Sequence, residues 1–450
     1  MLFYQNWAII AAKRIILKPV FTKNEVLKYH EYPRAGKIAI KLTKPVENAK
    51  ELSIAYSPGV ALPCLEIERD KNLAYRYTNR ANLVAVISDA TAVLGLGKLR
   101  PEASKPVMEG KAVLFKKFAF IDAFDIELNV REVDDIVKVI SAMTPTFGGI
   151  NLEDISAPRC FEIERRLQEI CDIPVFHDDQ HGTAIISAAA IINGLSMVGK
   201  RLQDVKIVII GAGAAGIAAA RMYDYLGAKN IILVDSKGPV TRHRKDLNPY
   251  KADWAVSEDI KTLAEALKGA DVVIGNSRAD IIDEDMVKSL AKDALLFTLA
   301  NPDPEIKPQR AKAVRDDLII ATGRSDYPNQ VNNVLGFPFI FRGALDIRAS
   351  KINMEMKKAA VYALANLAKK EVPSYVKRAY KNADISYGRE YILPKPFDRR
   401  VFVDVSVAVA KAGIKSGVSR LGIEDEKSWI EGYKKHLVEM LKEEEGIDYF

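Results

Sequence analysis

Two adjacent carboxylates and two histidines lie within the ten residues from Val175 to Ala184, VFHDDQHGTA. The apolar residues before His177 are typical of a strand, and the small apolar residues after Thr183 have helical spacing. Ligands of α/β proteins bind where such a strand ends and a helix begins. Asp178 and Asp179 are therefore candidates for a catalytic or metal site. They also suit a helix start, where carboxylates are favoured and Thr183 would cap the first turn.

Further acidic residues follow the other strands predicted in this half of the chain. Strands and helices alternate from about residue 83 to 180, which predicts a parallel sheet with helical cover. Asp89 follows the buried strand LVAVIS, and Glu153 and Asp154 follow a short strand in GINLEDI. The carboxyl ends of parallel strands meet at one edge, so these acids should face a common site. Carboxylate oxygens without cysteine favour a hard cation, Mg²⁺ or Mn²⁺.

Lys111 lies on the apolar stripe of the helix predicted after the first strand. In KPVMEGKAVLFKKFA, this residue falls on the same face as Val107, Leu114, Phe115 and Phe118. A lysine on a buried face loses the solvation of its charged form. Its pKa should therefore fall unless a carboxylate compensates, and such lysines serve as general bases. Alternatively, its stem packs while the amine reaches water. The sequence leaves both interpretations open.

A dinucleotide-binding fingerprint begins after the strand DVKIVII. The loop has the form G-x-G-x-x-G and consists of Gly211, Ala212, Gly213, Ala214, Ala215 and Gly216. A helix follows, and a second strand ends at Asp235. The glycines allow pyrophosphate to approach the helix N-terminus, and Asp235 is placed to bind the ribose hydroxyls. Because strand, helix and acid all have the required spacing, the pattern is a strong indication of NAD or NADP binding.

The alternation of strands and helices predicts an α/β fold with two sheets. A later strand ends at Asn301, and the loop that contains Asn332 and Asn333 follows the next one. From Gly343 onward the pattern is mainly helical. We expect an α/β substrate and metal domain at 1–180, a doubly wound Rossmann-type domain at 181–342, and a helical segment at 343–450 that packs back on the first domain.

Composition excludes several classes of protein. The chain has 450 residues, 48% of them hydrophobic, and no run of about 20 uninterrupted apolar residues that would span a membrane. The net charge of +7 is spread among interspersed acids and bases, without a motif for nucleic acid. Three scattered cysteines predict a reducing cytoplasm, and the Glu- and Lys-rich faces hint at a thermophile. The first 20 residues predict only a short amphipathic extension.

Eight segments, in this order, carry a resemblance to a known family: AYSPGVA, KPVMEGKAVLFKKFA, GINLEDI, IPVFHDDQHGTAI, IVIIGAGAAGIA, ILVDSKG, LANPDPEI and NNVLGFP. From about residue 25 to 430 the chain resembles the malic enzymes, in their short prokaryotic form. The resemblance implies oxidative decarboxylation of L-malate to pyruvate and CO₂, reduction of NAD or NADP, and a divalent cation. It includes no phosphotransacetylase-like tail, so a fused second activity is not expected.

The resemblance also implies roles for individual residues. Glu153, Asp154 and Asp179 would bind the metal. Lys111 would be the general base, Asp178 its charge partner and Tyr56 the general acid. Asn301 and Asn333 would bind substrate, and the cofactor would be bound by Thr183, the glycine loop, Asp235, Ser236 and Lys237. One loop departs from the family pattern, because it reads GLGKLRP where short members read close to GLGNIGP. Lys98 and Arg100 thus replace smaller residues. Ala92 and Val93 stand where larger members carry an arginine for a malate carboxylate.

Some alternatives stay open at this point. Asp235 ordinarily favours NAD, whereas Ser236, Lys237, Arg242 and Arg244 would suit a 2′-phosphate, so we lean slightly to NADP. The same scaffold would also serve an oxaloacetate decarboxylase or a malolactic reaction. A nucleotide-binding sensor without catalysis is a further alternative, against which the full set of acids, Lys111 and Tyr56 argues. We expect a homo-oligomer, as a dimer or tetramer.

Overall fold

The computed structural model describes residues 21–93, 96–381 and 384–446 of the 450-residue chain. The contacts within the chain divide it into two compact units at Pro45 and Val46. The first unit contains helix α1 (Lys23–Glu31), which starts with a capping box between Thr22 and Glu25. The amphipathic segment predicted for residues 1–20 lies outside the described residues.

The second unit begins with short helices: α2 (Ala49–Ala55), α3 (Ala61–Arg69) and α4 (Ala74–Tyr77), with 3₁₀ turns at Lys71–Leu73 and Asn79–Asn82. The side chain of Asn48 accepts a hydrogen bond from the Glu51 N–H and so caps α2. Several large apolar side chains of α2 and α3 are exposed, Leu62 to 69% and Ile54 to 62%. These helices therefore present an apolar surface to solvent in the single chain.

A four-stranded parallel sheet follows, with strand order β2-β1-β3-β4. Its strands are β1 (Leu83–Ser88), β2 (Asp122–Glu127), β3 (Gly149–Leu152) and β4 (Val175–His177). The helices between them are α5 (Pro101–Ala119), α6 (Val133–Met143) and α7 (Arg159–Ile170). Every residue of β1 is buried, as its unbroken apolar run predicts for a central parallel strand. The order brings the ends of β3 and β4 together, where the predicted acids lie.

Helix α8 (Asp178–Met197) begins directly at the end of β4. The predicted capping by Thr183 is therefore wrong, because the helix starts five residues earlier and Thr183 lies in its second turn. The N-cap residue is His177, which makes no side-chain capping bond. Asp178 and Asp179 occupy the first turn instead, where the positive end of the helix dipole favours carboxylates.

The second sheet has six strands in the order β10-β9-β8-β5-β6-β7, with only β7 antiparallel. Its strands are β5 (Lys206–Ile210), β6 (Asn230–Asp235), β7 (Gly238–Pro239), β8 (Val272–Gly275), β9 (Leu295–Thr298) and β10 (Ile319–Thr322). The helices of this region are α9 (Ala214–Tyr225), α10 (Pro249–Ala252), α11 (Leu263–Leu267), α12 (Glu284–Lys288) and α13 (Pro308–Val314). The strand order reverses at β5, which makes the crevice beyond β5 the expected dinucleotide site.

The remaining helices are α14 (Phe337–Asp346), α15 (Met354–Ala368), α16 (Ser374–Ala379), α17 (Arg400–Lys415) and α18 (Glu426–Glu445). On α14, the rings of Phe337 and Phe341 meet Phe115 of α5 edge to face at 4.8 and 5.3 Å. Lys117 at the end of α5 pairs with Glu445 of α18 at 2.8 Å. The predicted α/β fold with a Rossmann-type sheet and C-terminal helices is confirmed, whereas the domain boundaries stay a prediction. In the described ranges, none of the helices has the length and hydropathy to cross a membrane.

Candidate active site

Lys111 is held between two carboxylates at the edge of the first sheet. Its Nζ lies 2.5 Å from Asp178 Oδ2 and 2.8 Å from Glu153 Oε1. The same Nζ sits 4.1 Å from the centre of the Phe337 ring, and the side chain is only 10% exposed. Of the two interpretations left open by the sequence, the buried lysine is correct, and the amine does not reach water.

The charges around Lys111 decide its protonation. Burial by itself would lower the pKa of Lys111, but the carboxylates of Asp178 and Glu153 raise it above its ordinary value. The compensation that the sequence left open is thus present. Burial raises the pKa of Glu153 well above its usual range despite Lys111, with Asp179 and Asp178 adding to the effect. The site therefore holds more buried negative charge than one ammonium balances.

The acidic residues that follow β3 and β4 are linked by a hydrogen bond from a backbone N–H to a carboxylate. The Asp154 N–H donates to Asp179 Oδ2 at 2.7 Å, and Asn151 Nδ2 donates to Glu153 Oε2 at 2.8 Å. Asp154 has a φ of 54°, a left-handed conformation that costs energy for a non-glycine residue and is found at functional sites. Within residues 21–93, 96–381 and 384–446, no three Asp, Glu, His or Cys side chains converge on one point. The oxygens of Glu153, Asp178 and Asp179 contact Lys111, Asn151 or a backbone N–H instead.

These residues nevertheless fit a hard divalent cation in donor type and in charge. The donors are carboxylate oxygens, which Mg²⁺ and Mn²⁺ prefer. The carboxylates of Glu153, Asp178 and Asp179 act on the single ammonium of Lys111, and that of Asp154 acts on Glu153. Glu153, Asp154 and Asp178 are at most 6% exposed. A cation bound there would offset the negative charge of Asp179 and Asp178, which adds to the effect of burial on the pKa of Glu153.

Asn333 joins this group from a loop far along the chain. Its Nδ2 donates to Asp178 Oδ2 at 3.3 Å, and its Oδ1 accepts from Thr183 Oγ1 at 3.2 Å. Gly182 makes the close approach possible, because a Cβ there would lie 2.3 Å from Asp178 Oδ1 and 2.8 Å from Asn333 Cγ. Asn333 thus reaches the carboxylate that holds Lys111, and Thr183 is linked to that carboxylate through Asn333.

Tyr56 is not brought to this group in the single chain. It follows α2, and its side chain is 73% exposed. In the part of the chain that the structure describes, its ring has no hydrogen bond or ring contact with Lys111, Asp178 or Asn333. The general-acid role implied by the resemblance therefore stays a prediction.

Sequence reasoning missed a buried polar cluster beneath the site. Glu164 of α7 accepts a hydrogen bond from the His177 N–H at 3.0 Å and lies 2.9 Å from His181 Nε2. The Lys357 Nζ on α15 is 3.1 Å from the same His181 nitrogen. The cluster anchors the turn that presents Asp178. A signal was available, because Glu164 lies three residues from Phe161 and three from Leu167 on the apolar face of α7.

The glycine loop connects β5 to α9 and leaves room for a ligand. Gly211 has a φ of 109°, and a Cβ there would lie 2.4 Å from the Asn276 carbonyl oxygen. At Gly216 a Cβ would lie 1.8 Å from the Gly211 oxygen, so the loop and helix meet only if this residue is glycine. Gly213, the N-cap of α9, faces open space. The predicted loop therefore has the close backbone approach that a pyrophosphate requires.

The carboxylate of Asp235 is already engaged. Arg244 binds it with two nitrogens at 2.8 and 3.0 Å, and Lys251 Nζ lies at 2.6 Å. Although burial opposes it, the hydrogen bonds from Arg244 and Lys251 lower the pKa of Asp235 to about 2. Ser236 and Lys237 are exposed beside it. The sequence singled out Arg244 but missed Lys251, which comes into reach only through the fold of α10.

Asn301 lies at the carboxyl end of β9, on the dinucleotide side of the site. Its Nδ2 approaches the Leu299 carbonyl at 3.4 Å. Nearby, the fully buried Glu305 accepts hydrogen bonds from the Ser277 N–H at 2.8 Å and the Ala300 N–H at 3.2 Å. Glu305 thus ties together the loops after β8 and β9. Sequence reasoning missed it, although the acid in LANPDPEI follows a strand as the other site acids do.

The lysine–carboxylate group at the edge of the first sheet and the glycine loop of the second sheet are features of an α/β fold with a dinucleotide-binding domain. Comparison with known families agrees: the malic enzyme N-terminal domain matches residues 35–168, and the malic enzyme NAD-binding domain matches residues 180–380. The chain belongs to the malic enzyme family.

Three relatives illustrate the similarity. The NADP-dependent malic enzyme of Escherichia coli (strain K12) is 56% identical over 407 residues, which is 90% of this chain and 54% of that protein. The NADP-dependent malic enzyme of Halomonas elongata is 53% identical over 88% of this chain and 95% of that protein. The crystal structure of malic enzyme from Pyrococcus horikoshii superposes with a TM-score of 0.82 at 40% identity, over 93% and 96% of the two chains. The chain thus spans about half the length of the E. coli relative.

Proposed function

We propose that the protein converts L-malate to pyruvate and CO₂ while reducing NADP, in a reaction that depends on a divalent cation. The observation that carries this proposal is the burial of Lys111 between Asp178 and Glu153, on an α/β scaffold whose second sheet has a dinucleotide loop. A general base, a set of acids for a hard cation and a hydride acceptor are what this reaction needs.

Each residue then has a task that follows from its position. Lys111 is placed to take the hydroxyl proton of malate, and a nicotinamide bound at the glycine loop would accept the hydride. Asp178 holds the lysine in place through their ion pair, and the hydrogen bond from Asn333 fixes the Asp178 carboxylate. Glu153, Asp154 and Asp179 would hold the cation. When bound, Mg²⁺ or Mn²⁺ supplies Lewis acidity toward the substrate oxygens.

The general-base role requires that Lys111 be neutral when it accepts the proton. With carboxylates alone around it, the pKa of Lys111 is raised, and the amine stays protonated. A cation held by Glu153, Asp154 and Asp179 would offset the negative potential that raises the pKa of Lys111, and would so favour the neutral amine. The base would therefore depend on the cation, which supports the need for a metal.

We propose that the protein acts as a homo-oligomer. Large apolar side chains on α2 and α3 are exposed, among them Leu52 at 56%, Ile54 at 62% and Leu65 at 56%. Large apolar side chains exposed together on neighbouring helices are typical of protein–protein contacts. Tyr56 lies at the end of the same surface, so its role as general acid depends on the assembled form. A monomer by light scattering at assay concentrations, with full activity, would contradict this.

The neighbourhood of Asp235 supports NADP as the cofactor. An aspartate that favours NAD must accept hydrogen bonds from the ribose hydroxyls with a free carboxylate. Here Arg244 and Lys251 already occupy its oxygens, and they offset its charge. A 2′-phosphate would meet their guanidinium and ammonium groups, with Ser236 and Lys237 at the rim, rather than a bare carboxylate.

Replacing Arg244 by leucine is expected to reverse part of this preference. The change frees one side of Asp235 and removes a phosphate donor, so kcat/KM for NADP should fall by about tenfold or more relative to NAD. The exposed Arg242 offers a matched control, because among the described residues its side chain donates to the Ala255 carbonyl and makes no bond to Asp235. An unchanged NADP-to-NAD ratio in Arg244→Leu would contradict the assignment.

One assay tests the reaction itself. The protein is incubated with L-malate, or with oxaloacetate in a parallel reaction, together with NADP or NAD, with and without Mn²⁺. Formation of reduced cofactor, pyruvate and lactate is followed, and nucleotide binding is measured separately. We expect reduced cofactor and pyruvate in equal amounts, only with the cation. Lactate without net reduction would indicate a malolactic reaction, and pyruvate from oxaloacetate alone would indicate a decarboxylase. Nucleotide binding without turnover would indicate a sensor.

A further inference from the structure

A cationic cleft opens at the same edge of the first sheet, beyond the ends of β1 and β2. Its cavity volume is about 620 Å³, and Lys98, Arg100 and Arg131 line it together with Glu102 and Asn129. Lys98 and Arg100 lie in the connection that leaves β1, and Arg131 follows β2. Because β2 is the outer strand beside β1, these connections meet at one end of the sheet edge.

The charges in this cleft are not balanced by carboxylates. Three cationic side chains face one acid, Glu102. Elsewhere at this edge the cations are paired, since Lys111 binds Asp178 and Arg159 binds Asp89 at 2.5 Å. Across residues 21–93, 96–381 and 384–446, neither Lys98 nor Arg100 has an ion pair or a side-chain hydrogen bond. Unpaired cations concentrated in a concave surface attract anions.

Arg131 is held in place within the wall of the cleft. Its Nη1 donates to the Asp89 carbonyl at 2.7 Å, and its Nη2 approaches the Leu99 carbonyl at 3.3 Å. Arg159 in turn donates to the Arg131 carbonyl. A guanidinium has five N–H donors, so donors remain for a ligand after these two bonds. Its orientation is thus set before any anion binds.

The sheet edge therefore differs in charge between its two ends. The ends of β3 and β4 carry Glu153, Asp154, Asp178 and Asp179 beside one lysine, whereas the acids at the ends of β1 and β2, Asp89 and Glu127, each have a cation nearby, Arg159 and Lys105, besides those of the cleft. The two halves are joined, because the N–H groups of Thr91 and Ala92 donate to the Asp154 carbonyl at 3.1 and 2.9 Å. Without a bound cation, the acidic half repels a dianion and the cleft attracts it.

We propose that this cleft is a separate binding site for a small dianion. The ligand carries two negative charges on oxygen, as a dicarboxylate or an inorganic phosphate does. Lys98 and Arg100 supply mobile charge contacts, and Arg131 supplies a fixed guanidinium at the wall. The site lies outside the residues assigned to the reaction, so the proposal stands independently of the proposed function.

Calorimetric titration of the full chain tests this site directly. The protein is stripped of metal with chelating resin, which leaves the acidic half repulsive, and saturated with NADPH, which covers the phosphate contacts near Asp235. Succinate and inorganic phosphate are then titrated separately at constant ionic strength. We expect one dianion per chain, and the tighter of the two probes identifies the class of ligand.

Variants assign that binding to the cleft. Lys98→Ala with Arg100→Ala should weaken dianion binding by about tenfold or more, since two charge-assisted contacts are lost. The control, Lys427→Ala with Lys435→Ala, removes the same charge from exposed positions of α18 and should leave the affinity unchanged. Glu102→Gln removes the one acid in the cleft and should tighten binding.

Specific results would overturn the proposal. No saturable binding of either probe at millimolar concentration would exclude the site. Equal affinity in the wild type and in the Lys98 and Arg100 double variant, with both proteins folded by circular dichroism, would place the anion elsewhere. An equal loss of dianion affinity in the α18 control would show that the effect depends on the net charge of the protein and not on the cleft.

Discussion

Lys111→Met is expected to lower kcat by a factor of about 10²–10⁴, the usual contribution of a general base. The substitution keeps the length and apolar stem of the side chain, so packing against Phe337 is retained. It removes the amine that Asp178 and Glu153 hold at 2.5 and 2.8 Å. The measurement is single-turnover formation of NADPH from L-malate with saturating Mn²⁺.

Two companion variants separate the proton role from charge and folding. Lys111→Arg keeps a cation for the ion pairs but cannot lose its proton near neutral pH, so it should be as inactive as the methionine variant. Lys116→Met is the matched control, because Lys116 is on the same helix but 60% exposed, paired with Asp122. Near-normal turnover in Lys111→Met, with intact fold and metal binding, would show that the base is another group.

Asp179→Asn is expected to weaken Mn²⁺ binding, and with it activity, by at least about 10²-fold. Loss of a residue that only supports a metal ligand already costs about 10–100-fold, and Asp179 is proposed as a ligand itself. The amide keeps the oxygen that accepts the Asp154 N–H at 2.7 Å, so the backbone at β3 and β4 should be preserved. Mn²⁺ affinity is measured by electron paramagnetic resonance of the free ion.

Thermal unfolding gives a second readout for the same variant. Burial raises the pKa of Glu153, and the charges of Asp179 and Asp178 add to it. Without metal, removing one charge therefore relieves repulsion, and the Tm should not fall. The wild type should gain Tm on addition of Mn²⁺, because a ligand that binds only the folded state stabilises it, whereas Asp179→Asn should gain little.

An exposed acid provides the control for Asp179. Asp135→Asn on α6 removes the same charge from an exposed residue in the first turn of that helix. It should bind Mn²⁺ like the wild type and show the same gain in Tm. Undiminished Mn²⁺ affinity in Asp179→Asn would remove this residue from the metal site.

Local sequence patterns determined the strands, most helices and the loops between them. The buried run Leu83–Ser88 and the G-x-G-x-x-G loop that starts at Gly211 both appear where the patterns predict them. These signals are local, because side-chain periodicity and glycine geometry depend on a few neighbouring residues. The start of α8 differs from the prediction because two starts suit the sequence. Thr183 is a suitable N-cap and Asp178 is a suitable first-turn residue, and the local pattern does not show which of these starts the chain adopts.

Only the tertiary structure decided which side chains meet and in what charge state. Lys111 and Asp178 are 67 residues apart, and Asp178 and Asn333 are 155 apart. Their contact depends on the order of strands in the sheet and on the packing of α14, which periodicity does not specify. Whether Lys111 was buried or reached water depended on the same packing, and so did the engagement of Asp235 by Lys251. The sequence thus determined which chemical groups the protein carries, and the long-range fold decided their partners, because burial and charge act through space rather than along the chain.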